Sequence, residues 1–289
     1  MRTRILPAVA GVLALMSLPG CSRAAGEEDR ADTETAVRVP PVFETTLSGR
    51  VVSIGSPLSF DLATGPVRLD GAAMSAEYRE AIPVTARLAT LDAPDPDLAR
   101  SVLERRLAGA ELRLAPDGPG EDRYGRILAQ AYLDGPDGAD VWLQAELVRR
   151  GTARVLSHAS NPDAAPYLLM LESEARRAGL GLWAEPAHAV RSTDPDVLAQ
   201  DDGSVQIVEG RIIEATQLRS GRIYLNFGAD YRTDFTVMIA ARDADAFAAA
   251  GLAPDRLETR RVRVRGWVEL ENGPMIRIDH PERLEVLPD

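Results

Sequence analysis

The chain contains no lysine: all 33 of its basic residues are arginine, set against 44 acidic residues, for a net charge of −11. That balance excludes a protein that coats nucleic acid by bulk electrostatics, because neutralising phosphates requires a positive excess. Any phosphate recognition must therefore come from a local arginine cluster. With the single cysteine Cys21 there is no intramolecular disulfide, and three scattered histidines, His158, His188 and His280, argue against a zinc cluster. A metal would have to sit on carboxylates. The apolar run from Ile5 to Leu18 is too short to span a bilayer as a mature helix. What is present, 45% hydrophobic and 27% charged residues over 289 positions, is the composition of a folded chain with room for one large domain or two ordinary ones.

Arg2 and Arg4 ahead of the Ile5 to Leu18 run give residues 1–20 the shape of a secretory signal. The run ends in Leu18-Pro19-Gly20-Cys21, which resembles the bacterial lipobox, and Cys21 falls at the position that would be lipidated. The alternative is an ordinary cleaved signal followed by a chance cysteine. The first reading makes the protein an exported envelope lipoprotein, facing the periplasm or on the outer membrane, anchored through Cys21. Residues 21–45 read as an acidic, alanine-rich disordered tether.

From Thr46 onward the pattern alternates as strands do. Val51 to Ile54, Leu58 to Leu62 and Val67 to Leu69 suggest a three-stranded meander, with Arg87 to Leu91 as another extended stretch. Asp95-Pro96 opens a helix with Val102, Leu103 and Leu107 on one face, stopped at Gly109. Strands Glu111 to Leu114 and Arg126 to Leu133 bracket the Tyr124-Gly125 turn, and helices follow from Val141 to Arg150 and from Ala164 to Ala178. Residues 187–204 lie in a Pro-, Ser- and Asp-rich stretch that reads as a linker. In residues 205–289, strands Val205 to Ala215, Arg222 to Phe227, Asp234 to Ile239, Arg260 to Val268 and Met275 to Ile278, with a helix from Arg242 to Ala250, follow the order of an oligonucleotide-binding (OB) barrel. Arg261, Arg263 and Arg265 would form a row on one strand face, and Tyr224, Phe227, Tyr231, Phe235 and Trp267 would offer stacking surfaces for single strands. Alternatively the aromatics fill the barrel and the arginines pair with Glu258, Glu269 and Glu271. His280-Pro281 reads as a turn.

The blocks Asp122-Arg123-Tyr124-Gly125-Arg126-Ile127-Leu128-Ala129, Leu147 to Val155, and Glu172 to Arg177 through Gly179-Leu180-Gly181-Leu182-Trp183 resemble the thermonuclease, or staphylococcal nuclease-like, family over residues 46–186. The resemblance implies an OB-type barrel with helices, followed here by the second OB-like five-stranded barrel. It also implies calcium held by aspartates, an acidic residue that activates water, two arginines that clamp the phosphate, and DNA or RNA, single strands included, as partner. Carried over residue by residue, Arg126 is one clamp arginine. Arg87-Leu88 with Asp92-Ala93-Pro94-Asp95 supplies the other clamp, a calcium ligand at Asp92 and, at Asp95, an aspartate one methylene shorter than the family's glutamate. In a competing register Arg68 is the clamp, and Ala73 and Ala76 stand where ligand and base should be. Both registers lack the family's Asp-Gly-Asp-Thr turn, having Ile54-Gly55-Ser56-Pro57 instead, with Asp61 as a substitute on a strand. Asp95 before Pro96 is equally an ideal helix N-cap, and Arg126 equally a surface arginine paired with Asp122. The sequence thus leaves two functions open: a calcium-dependent phosphodiesterase with a degenerate metal site, or a catalytically inactive nuclease-like and OB-like binding lipoprotein.

Overall fold

The computed structural model describes residues 40–64, 83–135 and 138–288, all within one compact unit. Cys21, the signal, most of the tether and the Val67 to Leu69 stretch with Arg68 lie outside the described residues. None of the described helices is long and apolar enough to cross a membrane.

The first barrel is built from β1 (Leu47–Ile54), β2 (Ser59–Thr64), β3 (Pro83–Leu88), β5 (Glu111–Glu121) and β6 (Ile127–Asp134), with β4 (Leu91–Asp92) between β3 and the helix α1 (Pro96–Leu107). β1 pairs antiparallel with β2 and β5, β2 with β3, and β5 with β6; the parallel pairing of β3 with β6 closes the ring. Strand periodicity explains its filling: Phe60 and Leu62 are buried, while Asp61 between them accepts hydrogen bonds from Ser53 and Thr85 on the neighbouring strands. These bonds hold the Asp61 carboxyl below its ordinary range despite some burial. The strand beside β2 is Pro83–Leu88, so Arg87, directly opposite Ser59, comes from the barrel's third described strand.

α1 buries Ala99, Leu103 and Leu107, four residues apart on one face, and the chain leaves it through Gly109 at φ +67°. The helix expected from Val141 begins later. Val141 and Trp142 belong to β7 (Asp140–Trp142), paired with β6, and α2 runs over Leu143–Arg149. Trp142 explains the delay: extended backbone lets its ring stack on Tyr167 while its indole N–H donates to Gln130 Oε1 at 3.0 Å. β8 (Arg154–Val155) pairs with β4, and α3 (Ala165–Arg177) packs on α2.

The stretch read as a linker is folded rather than an open spacer. It contains short 3-10 turns and α4 (Pro195–Leu198), whose Leu198 is fully buried in the second core. Arg191 bonds to Asp201 at 2.7 Å and forms a parallel bridge beside Val208.

The second sheet comprises β9 (Val205–Arg211), β10 (Glu214–Gln217), β11 (Ile223–Asn226), β12 (Thr236–Ile239), β13 (Arg261–Leu270), β14 (Pro274–Ile278) and β15 (Leu284–Val286). Its order is β10-β11-β12-β14-β13-β15, with β9 also on β13 and a parallel β12–β14 pair. The helices α5 (Ala244–Ala249) and α6 (Pro254–Leu257) lie between β12 and β13, as the OB order requires. The expected first strand is broken at Ile212 and Ile213, one buried and one exposed, so the sheet curls there and pairs on both sides.

Polar contacts tie the barrels together. Arg265, fully buried, donates to Val155 O at 3.0 Å, to Glu172 Oε2 at 3.0 Å and to Glu285 Oε1 at 2.6 Å. Burial disfavours its charge, but Glu172 and Glu285 more than compensate and hold the guanidinium above its ordinary range.

Candidate phosphate-binding site

The Asp122 to Arg126 turn builds the first half of the site. Asp122 Oδ1 accepts from Tyr124 N at 2.9 Å and from Arg126 N at 3.1 Å, and its Oδ2 accepts from Arg126 Nε at 2.8 Å. Gly125, at φ +71°, allows the reversal. Burial raises the Asp122 carboxyl, but the bonds from Arg126 and the two amides win and hold it low. The Arg126 guanidinium also reaches Ser56 Oγ at 3.4 Å and lies over the Tyr124 ring at 5.0 Å. The surface ion pair that the sequence left as an alternative is therefore present, and it orients the side chain toward the Ser56 turn.

Arg87 supplies the second half. Half-buried on β3, it donates to Leu91 O at 3.5 Å. Its proton is held less tightly than usual, first because of burial and then because the Arg126 charge faces it; Asp92 and Asp122 oppose this only in part. Two guanidinium groups thus share one space beside the Ser56 and Ser59 hydroxyls, which are 2.6 Å apart. An anion relieves that repulsion, and the forked donors suit phosphate oxygens.

Under this pair, Gln130 locks the turn from β3 to β4. It donates to Thr90 Oγ1 at 3.1 Å and also to Asp117, while Thr90 sits at φ +66°. Asp117 is buried, which pushes its carboxyl up despite the hydrogen bonds it accepts.

The carboxylates expected to serve calcium are engaged elsewhere. Asp92 Oδ2 accepts from Arg154 Nη2 at 2.7 Å and Nε at 3.2 Å, and buried Arg154 also donates to Val205 O at 2.8 Å. Asp95 caps α1, accepting from Leu98 N at 2.9 Å with Pro96 at the first helical position. Asp61 is held by Ser53 and Thr85, and Ser56 is neutral. Calcium requires roughly 6–8 oxygen ligands, and among the described residues no group of three His, Cys, Asp or Glu side chains is arranged to hold a metal. The residues present do not fit the ion. For Asp95 the consequence is testable: Asp95→Ala should lower stability by about 1 kcal/mol in chemical denaturation through the lost cap.

The second barrel chooses between the readings left open for its arginines and aromatics, with other acidic partners than those expected. Its arginine row is not free: Arg261 and Arg263 pair with Glu209, Arg263 also with Glu285, and Arg265 with Glu172 and Glu285. These partners come from β9, β15 and α3, which spacing along β13 does not reveal. Phe227 and Phe235 fill the core with ring centroids 4.9 Å apart, leaving Tyr231 and Trp267 as the largely exposed aromatics of the five. His280 heads the short 3-10 turn Pro281–Arg283, as expected, and its ring is buried, with Ser157 Oγ 2.7 Å from Nε2 and Asp279 Oδ1 2.6 Å from Nδ1. Hydrolases use the same connectivity, but Ser157 is fully buried and no substrate reaches it, so the trio serves to dock the barrels.

Arg154, Gln130 and Asp117 were not singled out from the sequence. Arg154 stands in a block that resembles the nuclease family, but nothing local marks it as the partner of Asp92, 62 residues away. No curated protein matches the chain. Residues 84–185, from β3 to just beyond Trp183, match the family model described as staphylococcal nuclease homologue. The segment that carries Arg87, the Asp122 to Arg126 turn and the closing Gly-Leu-Trp is therefore similar to staphylococcal nuclease homologues, over about a third of the chain.

Proposed function

We propose that the protein binds nucleic acid through its phosphodiester backbone at Arg87 and Arg126, and that it has lost the family's calcium-dependent cleavage. The lipid anchor at Cys21 would place this activity at the cell envelope. The observation that carries the reading is the placement of the two guanidinium groups: Arg126 reaches Ser56 Oγ, Arg87 stands opposite Ser59 on the neighbouring strand, and the two hydroxyls are 2.6 Å apart, so a phosphate there would meet two forked donors. Staphylococcal nuclease-like and OB-like folds generally bind nucleic acids, which supports the choice of anion. The engagement of Asp92 by Arg154 supports the loss of the metal. Because the chain is net acidic, binding should be weak and strongly salt-dependent.

Calcium-dependent cleavage of DNA or RNA is the second reading, favoured by the spacing of Arg87, Asp92 and Asp95, which follows the family pattern. One experiment separates the two. A fluorescent single-stranded DNA is incubated with the chain lacking residues 1–20, with calcium and with chelator, alongside Arg126→Ala and Asp92→Ala. We expect binding to fall about 10- to 100-fold in Arg126→Ala, the worth of a charge-assisted hydrogen bond, with no calcium-dependent cleavage. Calcium-dependent cleavage abolished in both variants would overturn the binding reading in favour of the enzyme.

A further inference from the structure

A cleft of about 330 Å3 opens beside the arginine pair, with walls from both barrels: Asp92 and Arg154 on one side, Gln206 and Trp267 on the other, and His188 at the end. Trp267 lies on β13 opposite Val205, with buried Gly266 and Val268 on either side, so its ring is turned outward and is 53% exposed. The other two tryptophans are used internally: Trp142 is buried against Tyr167, and Trp183 lies under Arg176 at 5.7 Å. Trp267 thus presents a large planar apolar face to the cleft, continued by Pro94 and Val205 and flanked by the polar groups of Asp92, Gln206 and His188.

We infer that this cleft is a subsite for an unpaired nucleobase, stacked on Trp267 with its polar edge toward Asp92, Gln206 and His188. The inference rests on the backbone-binding reading above and extends it to the second barrel. Three observations select a base over other occupants. An exposed indole stacks on any base, which makes it a platform tolerant of sequence. Asp92 meets Arg154 through Oδ2 alone, so its Oδ1 can accept a hydrogen bond from the N–H groups of a base edge. The cleft is also near the arginine pair, since Arg87 donates to Leu91 O and the next residue, Asp92, lines the cleft. A strand whose phosphate sits between Arg87 and Arg126 therefore carries a neighbouring base toward Trp267. A duplex holds its bases in the stack and gains nothing from this face, so the preference is for single strands.

The test uses the chain lacking residues 1–20, in chelator, with a fluorescently labelled oligodeoxythymidine and a strand of equal length made of abasic sugar phosphates. Trp267→Ala should weaken binding of the base-bearing strand by about 5- to 100-fold, the range that one base stacked on an aromatic ring contributes. It should leave binding of the abasic strand unchanged. Unlabelled oligodeoxythymidine should also quench the intrinsic emission of the wild-type protein, and that quenching should be lost in Trp267→Ala. If Trp267→Ala binds both strands as the wild type does while Arg126→Ala binds them poorly, the base subsite is wrong and the backbone reading stands. Equal weakening of both strands by Trp267→Ala would show a structural role for the ring and overturn the subsite. A wild-type protein that binds neither strand overturns the backbone reading and the subsite together.

Discussion

Arg265→Ala is expected to remove about 3–5 kcal/mol of folding stability, the usual cost of breaking a buried ion pair from one side. The deletion leaves Glu172, whose side chain is 1% exposed, facing Glu285 without the guanidinium that joined them. Val155 N and Arg176, at 2.7 Å and 3.6 Å, remain beside Glu172 but do not replace a fork that also bonded Val155 O. Urea denaturation measures the loss directly. Adding Glu172→Gln to Arg265→Ala should recover part of it, because the buried charge is removed while the bond from Val155 N is retained. A single variant as stable as the wild type would mean that water replaces the guanidinium and that the other contacts between the barrels, among them Arg154 with Val205 O and Ser157 with His280, hold them together.

Gly151→Ala should be comparably damaging, at about 2–5 kcal/mol, combining a left-handed backbone penalty of roughly 1–2 with an overpacking cost of about 1–3. Gly151 has φ +66°, and a methyl group there would lie 2.1 Å from Leu180 O and 3.0 Å from the Trp183 ring. Gly181 is its counterpart: its own methyl would lie 2.4 Å from Gly151 O, and Leu182 N donates to that oxygen at 2.8 Å. Two glycines thus pass back to back where the end of α2 meets the closing Gly-Leu-Trp turn, which is why the two motifs occur together. Gly179→Ala isolates the backbone part, since Gly179 has φ +62° with nothing within 4 Å of an added methyl. Thermal or urea melts should therefore rank Gly151→Ala well below Gly179→Ala. Equal losses would leave the crowding against Leu180 without energetic consequence.

Local grammar made much of the fold legible. Alternation marks Phe60 and Leu62, helical spacing marks Leu103 and Leu107, and glycines mark the helix ends. The nuclease resemblance adds the order of the first barrel, and the strand and helix sequence adds that of the second. Misread features depend on partners distant in the chain. Val141 and Trp142 carry a helical pattern but are drawn into β7 by pairing with β6 and by Gln130. Residues 187–204 have linker composition, and they touch the second barrel through Leu198 in its core and through backbone bonds between Arg191 and the strand at Ile207 and Glu209. The site shows the same division. Arg126 was legible because its orienting partner, Asp122, is four residues away. The capture of Asp92 was not, because Arg154 is 62 residues downstream and is itself fixed by a carbonyl of the second barrel.

The contact between Arg265 and Glu172 also bears on the order in which the chain becomes native. The nuclease-like segment is complete at residue 185, yet Glu172 meets its principal counter-ion only 93 residues further along. As the polypeptide emerges from a ribosome, the first barrel has Val155 N and Arg176 beside Glu172 but gains the Arg265 fork only when β13 arrives. Its last step of consolidation belongs to the end of synthesis, so a chain truncated between the barrels would keep the nuclease-like residues without the docked form of the site.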